Sequence, residues 1–95
     1  TVMCMDDQLA VGALKYAQTE NISVPEKLQI AGYNNSILAR CSTPELTTVD
    51  NHLENLCEAL VQMLIAHLDQ DTSETLHLIQ GSMVFRGTTR PGEDL

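Results

Sequence analysis

From the amino terminus, apolar side chains first form a short continuous run, Val2 to Met5, then repeat at helical spacing, then form a second short run. In the helical stretch Leu9, Ala10, Ala13, Leu14 and Ala17 recur at i, i+1, i+4, i+5 and i+8, which is one face of a helix over Leu9 to Thr19. Asp6 or Asp7 caps that helix by accepting from its free backbone N–H groups, both acids suit the positive end of its dipole, and Asn21 suits a left-handed stop. Leu28 to Ala31, entered through Val24-Pro25 and left through Gly32, reads as a mostly buried strand. Strand, helix and strand in this order predict a right-handed βαβ crossover with parallel pairing.

Beyond the polar loop Gly32 to Ser36, Ser36 starts a brief helix to about Cys41, which the turn at Ser42-Thr43-Pro44 ends. Leu46 to Val49 is a second extended run. Asn51 with Glu54 approximates a capping box. It opens a long amphipathic helix whose apolar face is Leu53, Leu56, Cys57, Leu60, Val61, Leu64, Ile65 and Leu68. Gln70 to Glu74 reads as a polar loop, and Leu76 to Arg86 as a long strand with a bulge at Gly81. Pro91 to Leu95 reads as a disordered tail.

Composition narrows this picture. A chain of 95 residues makes one small domain that buries roughly two-thirds of its unfolded surface. With aromatics at 3% and no Trp, its core is built of Leu, Ile, Val, Met and Ala. The formal charge is −8, from 13 acidic and 5 basic residues, which repels a phosphate backbone and excludes nucleic-acid binding by this chain alone. Cys4, Cys41 and Cys57 contain no CxxC and signal neither a disulfide framework nor a zinc module, so a reduced, cytosolic setting is expected. No stretch has the length of a membrane span and no signal-peptide layout is present. The chain starts at Thr1 inside an apparent strand, which reads as a fragment.

The candidate chemistry lies after the buried strand, because ligands of parallel α/β sheets bind beyond the strands' carboxyl ends. Asn34 and Asn35 offer amide donors and an acceptor suited to a polyol, and Asn equally tolerates turn geometry. Asp6 with Asp7 is a carboxylate pair, an arrangement usual for helix capping. His52, His67 and His77 lie at no metal spacing and are expected at the surface or an interface. Cys41 and Cys57 read as buried, inert thiols. No phosphate-loop motif occurs, so no enzyme, metal or cofactor is indicated.

The pattern VP..L.I.GYNNS.LA...TPELTTV, preceded by Asp6-Asp7-Gln8-Leu9-Ala10-Val11-Gly12 and followed by Met83-Val84-Phe85-Arg86-Gly87-Thr88-Thr89, resembles the C-terminal part of a LacI/GalR-family transcriptional regulator. The match runs in register from about Met3 to Thr89. It implies an α/β fold, a fragment of a type I periplasmic-binding-protein-like, Rossmann-like domain with a parallel sheet. Residues 1–46 would then be part of the C-terminal lobe, 47–75 a crossover and an N-terminal-lobe helix, 76–90 a returning strand and 91–95 a tail, with no DNA-binding domain present.

The resemblance implies a sugar-responsive repressor, cytoplasmic and not an enzyme, that binds a small carbohydrate in a cleft. It places Asp6 and Asn34 at effector-contacting positions, Asn34 being an amide where many relatives carry Asp, and leaves Asp7 as the cap. It also puts Val11, Leu14 and Leu38 along a dimer seam. The Asn34-Asn35-Ser36 run with Asp50 is loosely similar to maltose-operon repressors. Operator DNA would be reached only through a missing N-terminal domain, and no membrane partner is implied. The alternative is a fragment of a secreted sugar-binding protein of the same fold. The long apolar helix face demands more cover than this chain supplies, so a homodimer or larger homo-oligomer is expected.

Overall fold

A computed structural model describes residues 1–69 and 78–91. Its elements are β1 (Val2–Met3), α1 (Asp7–Thr19), β2 (Ile30–Ala31), α2 (Ile37–Cys41), β3 (Thr48–Asp50), α3 (Leu53–Leu68) and β4 (Ser82–Val84). β1 and β2 pair in parallel, Val2 opposite Ile30 and Met3 opposite Ala31, with α1 as the crossover. A parallel bridge between Ala31 and Thr47 joins the start of the next extended run to that sheet. One residue later the run changes partner, and β3 pairs antiparallel with β4 in the register Thr48–Val84, Val49–Met83 and Asp50–Ser82.

The core lies between α1 and the parallel sheet. Ala10 and Leu14 of α1 close on Ile30, Ala39 and Leu46, with Cys4, Val11, Ala13, Val24 and Leu28 at the margin. Alanine at positions 10 and 17, both fully buried, lets α1 approach the sheet closely. Burying the larger members contributes about 1.5–3 kcal/mol per side chain.

Two threonine runs lock the second half of the chain onto this core. Thr88 Oγ1 donates to the Ile30 carbonyl at 2.6 Å and accepts the Thr47 N–H at 2.9 Å. The hydroxyls of Thr47 and Thr89 meet at 2.7 Å, and Thr47 Oγ1 also accepts the Arg86 N–H at 2.8 Å. Buried hydroxyls are costly unless paired, so a slip of one run against the other would leave these groups unsatisfied. Gly87 permits the approach, since a Cβ there would lie 2.9 Å from Pro44 Cβ.

α3 stands apart. Ala59 is its one buried residue, while Leu53, Leu60, Val61, Leu64, Ile65 and Leu68 are all more than half exposed. The molecule measures 58 × 24 × 16 Å with a radius of gyration of 17.3 Å, against about 12 Å for a compact chain of this length.

Several expectations change. Asp6, not Asp7, caps α1, its Oδ1 accepting the Leu9 N–H at 2.8 Å. The capping box at α3 does not form. The cap residue is His52, in a left-handed conformation with φ 52° and no side-chain cap bond, so Asn51 lies one residue before the cap, where its amide donates to Asn34 Oδ1 at 3.0 Å. Cys41 and Cys57 are exposed rather than buried: Cys57 lies on a helix whose apolar face is uncovered, and Cys41 ends a five-residue helix at the surface.

Among the described residues the last strand is limited to β4, and its register is continuous without a bulge at Gly81. That glycine lets Asp50 pass close by, a Cβ there being 3.3 Å from the Asp50 carbonyl oxygen. The polar loop Gln70 to Glu74, Leu76, His77 and the tail beyond Pro91 lie outside the described residues.

Candidate functional site

The loop leaving β2 is held from two sides. Asp7, 2% exposed, accepts from Ser36 through both the backbone N–H (2.6 Å) and Oγ (2.9 Å), and from Thr48 Oγ1 at 2.6 Å. Ser36 therefore begins α2 without a side-chain cap bond, since its hydroxyl is committed to Asp7. Backbone bonds run the loop along β3: the Gly32 N–H donates to Thr47 and the Asn34 N–H to Val49, both at 2.9 Å.

From the other side, Arg86 donates to the Leu46 carbonyl at 3.0 Å and to Asn35 Oδ1 at 2.8 Å. The Asn35 amide donates onward to Asp50 Oδ2 at 3.3 Å, and Asp50 Oδ1 accepts the His52 N–H at 2.9 Å. The His52 backbone N–H is the main cause holding the Asp50 carboxyl below its usual range; desolvation opposes it, and the Asn35 amide and the charges of His52 and Arg40 add to it. His52 Nε2 sits 3.2 Å from Ser82 Oγ, tying the start of α3 to β4.

These bonds frame a pocket of about 750 Å³ between the β2 loop, α2 and the amino-terminal turn of α3. Asn34, Asn35, Ser36, Arg40, Asp50, Asn51, His52, Leu53, Glu54 and Asn55 line it. Its size and its mixture of amides, carboxylates and a guanidinium suit a small ligand that both donates and accepts hydrogen bonds. Among the described residues no three His, Cys, Asp or Glu side chains group to hold a metal ion, and no helix is long and apolar enough to cross a membrane.

Of the residues singled out from sequence, Asn34 lines the pocket, with φ 103°, and Asp6 does not, serving as the α1 cap. Val11 is half-buried against the core, and Leu38 is 40% exposed on α2. Leu14 is 3% exposed inside the chain's own core and so offers no surface to a second copy. Sequence reasoning passed over Arg40, Asn51 and Glu54 as pocket residues and Arg86 as the anchor of Asn35. For Arg86 the signal was its place beside Gly87-Thr88-Thr89; the others became neighbours only when the chain folded.

A model of the periplasmic binding protein-like domain matches residues 1–89. The chain belongs to that family. A helix-turn-helix-type transcriptional regulator of Lachnoclostridium phytofermentans is 35% identical over 88 residues, covering 93% of this chain and 26% of the relative. A LacI-type transcription regulator from Bifidobacterium animalis subsp. lactis superposes with a TM-score of 0.84 at 30% identity, over 93% of this chain and 32% of that one. The lac repressor dimer bound to operator and the anti-inducer ONPF superposes with a TM-score of 0.85 at 25% identity, over 92% and 30%. The chain thus spans about a quarter of the length of the first of these relatives. The extended run at 47–50 serves two sheets, the parallel sheet through Thr47 and the antiparallel β3–β4 ribbon through Thr48 to Asp50.

Proposed function

We propose that this chain is the C-terminal part of the effector-binding domain of a cytoplasmic repressor whose operator affinity changes when a small carbohydrate enters the pocket beside Asn34. The observation that carries the reading is the pocket itself, placed after a buried parallel strand and lined by amides and acids whose orientations are held by Arg86 and Asp7. A polyol needs paired donors and acceptors in fixed directions, and this lining supplies them. The lac repressor, whose structure holds operator and a small anti-inducer together in a dimer, supports the coupling of ligand to DNA. Val11 and Leu38 are the positions proposed to face a second copy, and Asp6 is a secondary effector contact through whatever its capping bond leaves free.

Calorimetric titration of the regulator carrying this chain against a panel of mono- and disaccharides tests the reading. One of them is expected to bind, and Asn34→Ala to weaken it about five- to tenfold, the worth of one hydrogen bond. Operator binding without sugar should be unchanged. A regulator that binds none of the panel overturns the proposal.

A further inference from the structure

Asp7 does not line the pocket, yet it holds one side of the loop that does. Its carboxylate joins the first turn of α1 to Ser36 and to Thr48 of β3, and Thr48 Oγ1 in turn accepts the Asn35 N–H at 3.2 Å. Between those anchors the backbone takes positive φ at both Asn34 (103°) and Asn35 (51°). Asn tolerates this region better than most side chains, and two such residues in succession are held there by the contacts on either side. The backbone also closes directly over the carboxylate at Gly32, where a Cβ would lie 2.5 Å from Asp7 Oδ1 and 3.1 Å from Asp7 Cα. A buried carboxylate accepting from neutral donors is stable only while each donor stays in place, so the loop and the carboxylate hold each other.

We propose that Asp7 is a positioning residue for the pocket: its carboxylate clamps the Asn34–Ser36 loop to α1 and β3 and so presets the direction of the Asn34 and Asn35 amides. The clamp acts through Ser36 and Thr48, never on the ligand itself. Its role in effector binding rests on the function proposed above, whereas the ordering of the loop does not.

The test compares Asp7→Asn, Thr48→Val and Thr48→Ser in the regulator carrying this chain. Amide hydrogen exchange over residues 33–37 is read first, without sugar. Asp7→Asn and Thr48→Val should each speed exchange there about tenfold while α1 amides from Ala10 to Ala17 keep their rates. Thr48→Ser, which retains the hydroxyl, should restore the slow rate, whereas a packing role would be served by valine and lost with serine.

The sugar that binds best in the panel above is then titrated, and its affinity should fall in the same two variants that loosen the loop. Unchanged loop exchange in both, or faster exchange with unchanged affinity, overturns the proposal. If Asp7→Asn fails to fold, the two Thr48 variants decide. A wild type that binds no carbohydrate removes the proposed function alone, and the exchange rates still decide whether Asp7 clamps the loop.

Discussion

α1 and α3 are both amphipathic helices with unbroken apolar faces, and they end in opposite situations. α1 buries Ala10, Leu14 and Ala17 against the parallel sheet, whereas α3, the longer helix, buries only Ala59. An apolar stripe states which face gains by leaving water; it does not state what will cover that face. α1 finds its cover within the chain because its own crossover returns β2 beneath it. α3 is delivered away from the core by β3, whose last residues have already exchanged the parallel sheet for β4.

The largest expected contrast is mutational. Leu14→Ala should lower the unfolding free energy of the chain by about 2–5 kcal/mol, while Leu64→Ala, cut from an exposed face, should change it by roughly half a kcal/mol or less at concentrations low enough to keep the chain monomeric. Equal losses in chemical denaturation would mean that α3 has cover in solution comparable to that of α1.

Association sharpens the same point. Contiguous exposed apolar surface of this kind is usually removed by self-association. Light scattering of the isolated chain should therefore give at least twice the monomer mass, and Leu64→Glu should return it to the monomer. A wild-type monomer that melts cooperatively would overturn the expectation.

Thiol chemistry separates the regions more gently. Burial pushes the Cys4 thiol up, and the Asp6 carboxylate adds to the effect, while Cys41 and Cys57 are exposed. Cys57 and Cys41 should alkylate about tenfold faster than Cys4 near neutral pH, because the thiolate is the reacting species. Peptide mapping after partial alkylation reads this directly, and equal rates would remove the contrast.

The smallest effect is at Asp50, where the ribbon meets α3. Its folded-state pKa is lowered, so its contribution to stability is present above the unfolded value of about 3.9 and is lost as the pH falls through the folded value. Melting temperature should drop more steeply below about pH 4 for the wild type than for Asp50→Asn, which has no carboxylate to protonate. Parallel curves would show that the carboxylate is not coupled to folding.

Much of the fold was legible in the sequence because local rules and burial agreed. The period of Ala10, Leu14 and Ala17, the left-handed stop at Asn21 with φ 57°, and the run ending in Ile30-Ala31 before Gly32 all point to one βαβ unit. The GYNN, TPELTTV and RGTT blocks pointed to the family, and the structure supplies a physical reason for two of them: Thr47, Thr48, Thr88 and Thr89 satisfy buried hydrogen bonds.

What the sequence could not determine is where each polar residue of an adjacent pair would send its side chain. Asp6 and Asp7 are equivalent as caps by residue type, yet one caps α1 and the other is buried under Gly32, because Ser36 and Thr48 arrive there only after the sheet closes. Asn51 and Glu54 have the spacing of a capping box, yet the helix starts after a left-handed His52, and the Asn51 amide donates to Asn34, seventeen residues away. Apolar periodicity is a property of one helix or strand and survives in the chain as written. The pairing of a buried carboxylate or amide is a property of three elements at once, and only the tertiary structure brings those elements together.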